Sequence, residues 1–318
     1  MIPRRSFLLL PTVGLLAQSA GQFEIPPPSP VVNRLVFGGD VMMSRYVGTL
    51  AASKQDPAWP LRDVASLFST ADLAFVNLEA PFSDRGAPAA KGMIFKAAPE
   101  MIAALELAGI DVVSTANNHA RDCGSYGIAF TIDWLAKHGI AAAGTGASSD
   151  LAHEGVVLER HGVRFGFLAY TFDQRNGNYK DTDQRVAMLD TAQAARDIAA
   201  MSTRADVVIV SMHAGAEYQP KPNEEQQRFA HAAIDAGAKM VIGHHPHVSQ
   251  PVEEYGGGVI FYSLGNLVFD QFQRKETQKG LVVEASFIGK ILVKYEVIPV
   301  DIIKTVPRFQ QTSLTLAP

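Results

Sequence analysis

The chain has 318 residues, 47% of them hydrophobic and 19% charged; a chain of this length buries about three quarters of its unfolded surface, so it needs no disulfide staple, and neither coiled coil nor disorder fits. A net charge of −4, with no lysine/arginine block, argues against a nucleic-acid partner. One cysteine, Cys123, cannot pair internally and leaves the redox compartment open.

Residues 1–20, MIPRRSFLLLPTVGLLAQSA, read as a signal peptide. Arg4 and Arg5 precede an apolar run from Phe7 to Ala17 that is too short to span a bilayer, and small residues follow at Ser19 and Ala20. The string PRRSFLL resembles the twin-arginine export signal, used by proteins that fold before crossing. An ordinary secretory signal that holds two arginines is the alternative. Residues 21–30, with EIPPPSP, read as a proline-rich linker. Residues 31–318 then form one domain, expected to be exported, in the periplasm or outside the cell.

From Val31 onward, RLVFGGD, LAFVNLE, DVVSTANNH, IAAAGTG, VVIVSMHAG and MVIGHHPH are short apolar runs that end in polar clusters, the pattern of strands ending in chemistry. Helices lie between them. PEMIAALELAGI starts behind a proline and stops at Gly109, and SYGIAFTIDWLAKHGI stops at Gly139. NEEQQRFAHAAIDAGAK opens with Asn223 and Gln226 in capping-box spacing. GTGASSD lacks the ending of a phosphate loop and reads as a turn into a helix. Hairpins are expected at His161-Gly162 and at Gly256 to Gly258, and GLVVEASFIGKILVKYEVIPVDI reads as an antiparallel pair. The class is α/β, with parallel units first and antiparallel strands late.

Open α/β sheets carry their sites at the carboxyl ends of strands. Those ends hold Asp40, Glu79, Asn117, Asn118, His119, His213, His244, His245 and His247, which include five of the nine histidines. Carboxylate, amide oxygen and imidazole together suit Mn, Fe or Zn better than Mg²⁺ or Ca²⁺. One or two such ions are therefore expected, with hydrolysis of a phosphoester as the reaction. Pro246 favours extension, which places His245 and His247 on one side and turns His244 the other way, away from direct binding.

The ordered series GGDVM, NLE, STANNHARDCG, MHAGAEY, GHHPHV and YSLGN resembles the CapA (PGA_cap) capsule-synthesis family, associated with poly-γ-glutamate, a branch of the calcineurin-like metallophosphatases. The resemblance implies a four-layer α/β/β/α sandwich with mixed sheets. It further implies Asp40 on a first metal, Glu79 bridging, Asn118, His213 and His245 on a second metal, and His247 returning to the first. His119 matches the histidine that acts as general acid or transition-state stabiliser in metallophosphatases. Two departures stand out: the superfamily's Asp-x-His motif has Met42 in place of histidine, and Glu79 replaces an aspartate.

Around this set, Asn117 is expected to brace its loop and Asp122 to cap a helix or orient a ring nitrogen. Asn266 is expected to pack beneath the site. Arg45 and Lys96 are the cations nearest the motifs, as holders of phosphate or an anionic polymer or as surface salt-bridge residues. Glu217 and Tyr218 either face substrate or form a buried hydrogen-bonded pair. His138, His153, His161 and His231 receive no role, and Cys123 is read as inert. The resulting function is a metal-dependent phosphoesterase-like hydrolase linked to capsule polymer, with membrane-bound synthesis machinery as a partner. A non-catalytic polymer-binding or assembly factor and a metal-dependent amide hydrolase are the alternatives.

Overall fold

The computed structural model describes residues 31–86, 92–172 and 183–310. The signal peptide and linker, read at 1–20 and 21–30, lie outside those residues. RLVFGGD forms β1 (Val32–Val41), apolar on both faces, as a strand covered on both sides must be. After it come α1 (Arg45–Ser53), α2 (Ala65–Ser69), β2 (Leu73–Leu78), α3 (Ile102–Leu107), β3 (Val112–Ser114), α4 (Gly124–Lys137) and β4 (Ala141–Ala143). The four strands run parallel, and the helices supply the crossovers that parallel neighbours need.

A second set follows: α5 (Ser149–Glu154), β5 (Val156–Arg160), β6 (Val163–Thr171), α6 (Thr191–Met201), β7 (Val207–His213), α7 (Glu224–Asp235), β8 (Met240–His244), β9 (Val252–Tyr255) and β10 (Gly258–Phe261). The chain then returns to the first sheet through β11 (Asn266–Val268), β12 (Lys279–Ile288), β13 (Ile291–Ile303) and β14 (Val306–Phe309). The first sheet has the order β14-β13-β12-β1-β2-β3-β4, with β11 also on β1; the second has β5-β6-β7-β8-β10-β9. Both are mixed, with the antiparallel strands at the edges or late in the chain.

The expected hairpins form at His161-Gly162 and Gly256-Gly257, where φ is positive at both residues (46° and 75°; 56° and 80°), as tight two-residue turns require. The antiparallel tail is β12 with β13. Helix α7 opens with the reciprocal Asn223–Gln226 capping box. PEMIAALELAGI begins as a 3₁₀ turn at Pro99–Met101 before α3 and stops ahead of Gly109.

Leu35, Phe37 and Phe75 of the first sheet meet Phe167, Ile209 and Phe261 of the second, with Phe75 stacked on Phe167 at 5.8 Å. Each such side chain taken fully out of water stabilises the fold by roughly 1.5–3 kcal/mol. Val47, Phe68, Leu105 and Leu135 from α1 to α4 cover the outer face of the first sheet. Ala152, Ile198 and Phe229 from α5, α6 and α7 cover the second. The layers are helix, sheet, sheet, helix, as expected.

Candidate metal centre

The carboxyl ends of β1, β2, β3, β7 and β8 converge. Asp40 lies in register with Asn77 on one side and Asn266 on the other, and His213 with His244. Gly39 makes this possible. A Cβ at Gly39 would sit 2.0 Å from the Gly265 carbonyl oxygen, so glycine alone lets that backbone approach and accept the Asp40 N–H at 3.0 Å.

Ligand atoms of Asp40, Glu79 and His247 all lie within 4.8 Å of one another. His247 Nε2 is 3.7 Å from Glu79 Oε1, and its Nδ1 is 3.5 Å from Asp40 Oδ2. A second group stands beside them: His213 Nε2 is 2.8 Å from Asn118 Oδ1, and the His213 and His245 rings are 4.9 Å apart. All six residues given metal roles by the resemblance are thus brought into one site.

Asn77, which the sequence reading passed over, ties the groups together. Its buried amide donates to Asp40 Oδ1 at 2.8 Å and to Glu79 Oε2 at 3.4 Å, and lies 3.3 Å from His213 Nδ1. The signal was present: Asn77 is two positions before Glu79 in NLE.

Burial holds His213 and His245 neutral, reinforced by the neighbouring imidazoles, with His245 lowered to about 3. Neutral imidazole is the metal-binding form. Burial alone would raise Asp40, but His244 and His247 beside it hold its carboxyl well below the usual range. Glu79 is pushed well up, by burial and then by the charges of Asp40 and Glu217. Glu79 Oε1 and His245 Nδ1 are buried without a hydrogen-bond partner. Unpaired buried acceptors beside two close carboxylates fit a bound divalent cation, which would satisfy both deficits.

His119, almost buried, stacks on Phe95 at 3.8 Å, and its Nδ1 lies 2.7 Å from Asp122 Oδ2. Asp122 therefore fixes the ring, and it also accepts the Phe95 N–H at 2.6 Å. Asn117 braces the loop by donating to the Leu78 carbonyl at 2.8 Å and accepting the His119 N–H at 3.0 Å. Asn266 Oδ1 meets His247 Nδ1 at 2.9 Å, and its amide is held by Gln271 and Thr277. Arg45 pairs with Asp270 at 2.9 Å and lies over the Phe95 ring; it shares a cavity of about 410 Å³ with Lys96. Tyr218 sits 6.2 Å from His247, its hydroxyl pushed up to about 12 by burial and by Glu217. Glu217 is exposed, so the two are not a buried pair.

Two expectations fail. The His245-Pro246-His247 stretch is not extended: φ is 96° at His245 and 58° at His247. Tertiary bonds turn it, from Tyr218 N–H to the Pro246 carbonyl at 2.8 Å and from His245 N–H to Asp40 Oδ2 at 3.3 Å. Nor does His244 point away. β8 runs through it, and it lies fully buried with Nδ1 3.2 Å from Asp40 Oδ1, at an angle that forms no hydrogen bond. Met42 belongs to the apolar cluster that contains Phe95 and Phe269. An imidazole therefore does stand beside Asp40, and it comes from position 244 rather than 42.

Residues 34–271 match the family model described as bacterial capsule synthesis protein PGA_cap. The PGA biosynthesis protein CapA of Bacillus subtilis is 32% identical over 311 residues, covering 95% of this chain and 81% of the relative. The capsule biosynthesis protein CapA of Bacillus anthracis is 30% identical over 298 residues, covering 88% and 72%. Among solved structures, NAD nucleotidase from Haemophilus influenzae superposes with a TM-score of 0.50 at 11% identity, over 86% of this chain and 50% of that one. At that identity the likeness is one of fold, and the fold is the metallophosphatase-type pairing of mixed sheets.

Proposed function

The chain belongs to the bacterial capsule synthesis protein PGA_cap family, and from that premise we propose that it is an exported, metal-dependent phosphoesterase-like hydrolase serving capsule polymer synthesis. The observation that carries this reading is the joined donor set: Asp40, Glu79 and His247 in one group, Asn118, His213 and His245 in the other, with Asn77 between them. These residues would hold one or two ions of Mn, Fe or Zn. When bound, a divalent ion there supplies Lewis acidity and lowers the pKa of water.

The protein's own residues supply the rest. His119, fixed by Asp122 at 2.7 Å and backed by Phe95, would hand a proton to the leaving oxygen. Arg45, 5.4 Å over the Phe95 ring on which His119 stacks, and Lys96, which lines the same cavity as Arg45, would take the charge of the bound anion. Export would follow from the leader at 1–20, with delivery to the periplasm or cell exterior and contact with membrane-bound capsule machinery there.

The test is hydrolysis of simple phosphomonoesters and diesters by the purified full chain loaded with each metal. Turnover should vanish on chelation, return on reloading, and fall by about 10²–10⁴ in His119→Ala. Metal-loaded protein that is inert on every ester contradicts the reading. A second reading, a non-catalytic polymer-binding or assembly factor, draws on Met42, which puts an apolar side chain where the superfamily has a ligand. Polymer binding without turnover of any ester would favour it.

A further inference from the structure

An open groove of about 880 Å³ is lined by α1, by the segment after β11 and by the turn between β13 and β14. Its floor is aromatic, from Tyr46, Trp59 and Phe272; Tyr46 and Phe272 meet edge-on at 5.9 Å and are 46% and 45% exposed. Lys54, Lys304 and Arg308 stand around it, and no carboxylate lines it among the described residues. On a chain of net charge −4 this is a local reversal of sign.

The cations are available. Lys54 lies 4.0 Å over the Trp59 ring, and neither it nor Lys304 enters an ion pair among the described residues. Arg308 uses only Nε on Asp63, at 3.1 Å. Lys304 and Thr305 form the hairpin tip at φ 50° and 76°, where Asn-Gly would sit without strain. A β-branched residue such as Thr305 is disfavoured in such a turn. The turn places Lys304 at the rim of the groove.

Two segments that line the groove also reach residues beside the metal centre. Tyr46 N–H and the Arg45 guanidinium both bond Asp270, at 3.1 and 2.9 Å. Phe272 follows Gln271, whose amide donates to Tyr218 Oη at 3.4 Å, beside His247. The concave form of the groove suits a chain rather than a membrane surface, which meets protruding side chains.

We infer that this groove is an exosite for an extended polycarboxylate, its methylene stems lying on Tyr46, Trp59 and Phe272 and its carboxylates meeting Lys54, Lys304 and Arg308. The inference rests on reading the chain as one that handles a capsule-type polymer, and it gives that polymer a place and a chemistry.

The experiment is fluorescence anisotropy of labelled poly-γ-glutamate with the full chain across a salt series. Combined Lys54→Ala and Lys304→Ala should weaken binding about tenfold. The same change should lower the slope of log affinity on log salt by about two, one per cation removed. Phe272→Ala should weaken binding without changing that slope, and Lys54→Arg with Lys304→Arg should retain it. Unchanged affinity in the double alanine variant overturns the inference. So does binding of phosphatidylglycerol vesicles, lost in the same variant, with no binding of the polymer. Ester hydrolysis, measured in parallel, keeps the two ideas apart. Polymer binding lost in the variant, with no ester turned over by any form, retains the groove and removes the hydrolase reading; turnover with no polymer binding removes the groove alone.

Discussion

Gly39→Ala tests whether one close backbone approach aligns the centre. The new Cβ would lie 2.0 Å from the Gly265 carbonyl oxygen, and real Cβ atoms do not come within 3.0 Å of such an atom. The 265–266 backbone must therefore withdraw by about 1 Å, lengthening the 3.0 Å Asp40–Gly265 bond past hydrogen-bonding range. Overpacking costs about 1–3 kcal/mol and the two buried groups left unpaired about 1–3 more. The melting temperature should fall by about 5–15 °C. Because Asn266 Oδ1 anchors His247 Nδ1 at 2.9 Å, metal affinity should fall about 10–100-fold as well. Gly48→Ala is the control, since its nearest neighbour lies 3.6 Å away and a helical alanine stabilises by about 0.5–1 kcal/mol. Calorimetry and metal titration of both variants decide it. A Gly39→Ala protein that melts with wild type and binds metal equally well refutes the reasoning.

Asp122→Asn keeps an acceptor for Phe95 N–H but removes the charge facing His119; kcat on any ester turned over should fall about 10–100-fold with KM little changed, and an unchanged kcat removes Asp122 as the group that positions the ring. In chelator-treated protein, His213 and His245 are held below their ordinary value of 6.5. The unfolded chain then binds more protons, and stability is lost as pH falls from 6.5 toward 3. Glu79, held above its ordinary value of 4.5, works in the opposite sense; Glu79→Gln should steepen the acid-side loss in melting curves, and a shallower loss contradicts the sign. His244 lies fully buried beside Asp40, its Nδ1 3.2 Å from Oδ1, and helps hold that carboxyl low, so His244→Phe should lower metal affinity. Metal affinity equal to wild type would return His244 to a packing role.

Much of this architecture is legible in the sequence because it is local. Apolar runs that close on Asp40, Asn118, His213 and His245 are strands whose ends converge, and the His161-Gly162 and Gly256-Gly257 turns fix the hairpins. What fails depends on contacts distant along the chain. Pro246 favours an extended His245, yet bonds from Tyr218 and Asp40 hold that residue at φ 96°. His244 is drawn beside Asp40 by packing between the two sheets, which no spacing rule encodes. Asn77 was within reach, since alternate residues of a strand share a face and Glu79 is two positions on. The bonds of Asp270 to α1, across 224 residues, were not.

The central claim is that residues from two sheets build one metal centre, and elemental analysis of protein purified from its native host tests it most directly. One or two transition-metal ions per chain are expected, fewer in His247→Ala and in Asn118→Ala, with the fold of each variant intact by circular dichroism. A wild-type protein that carries no metal when purified from its native host, or variants that carry the wild-type amount, would contradict it.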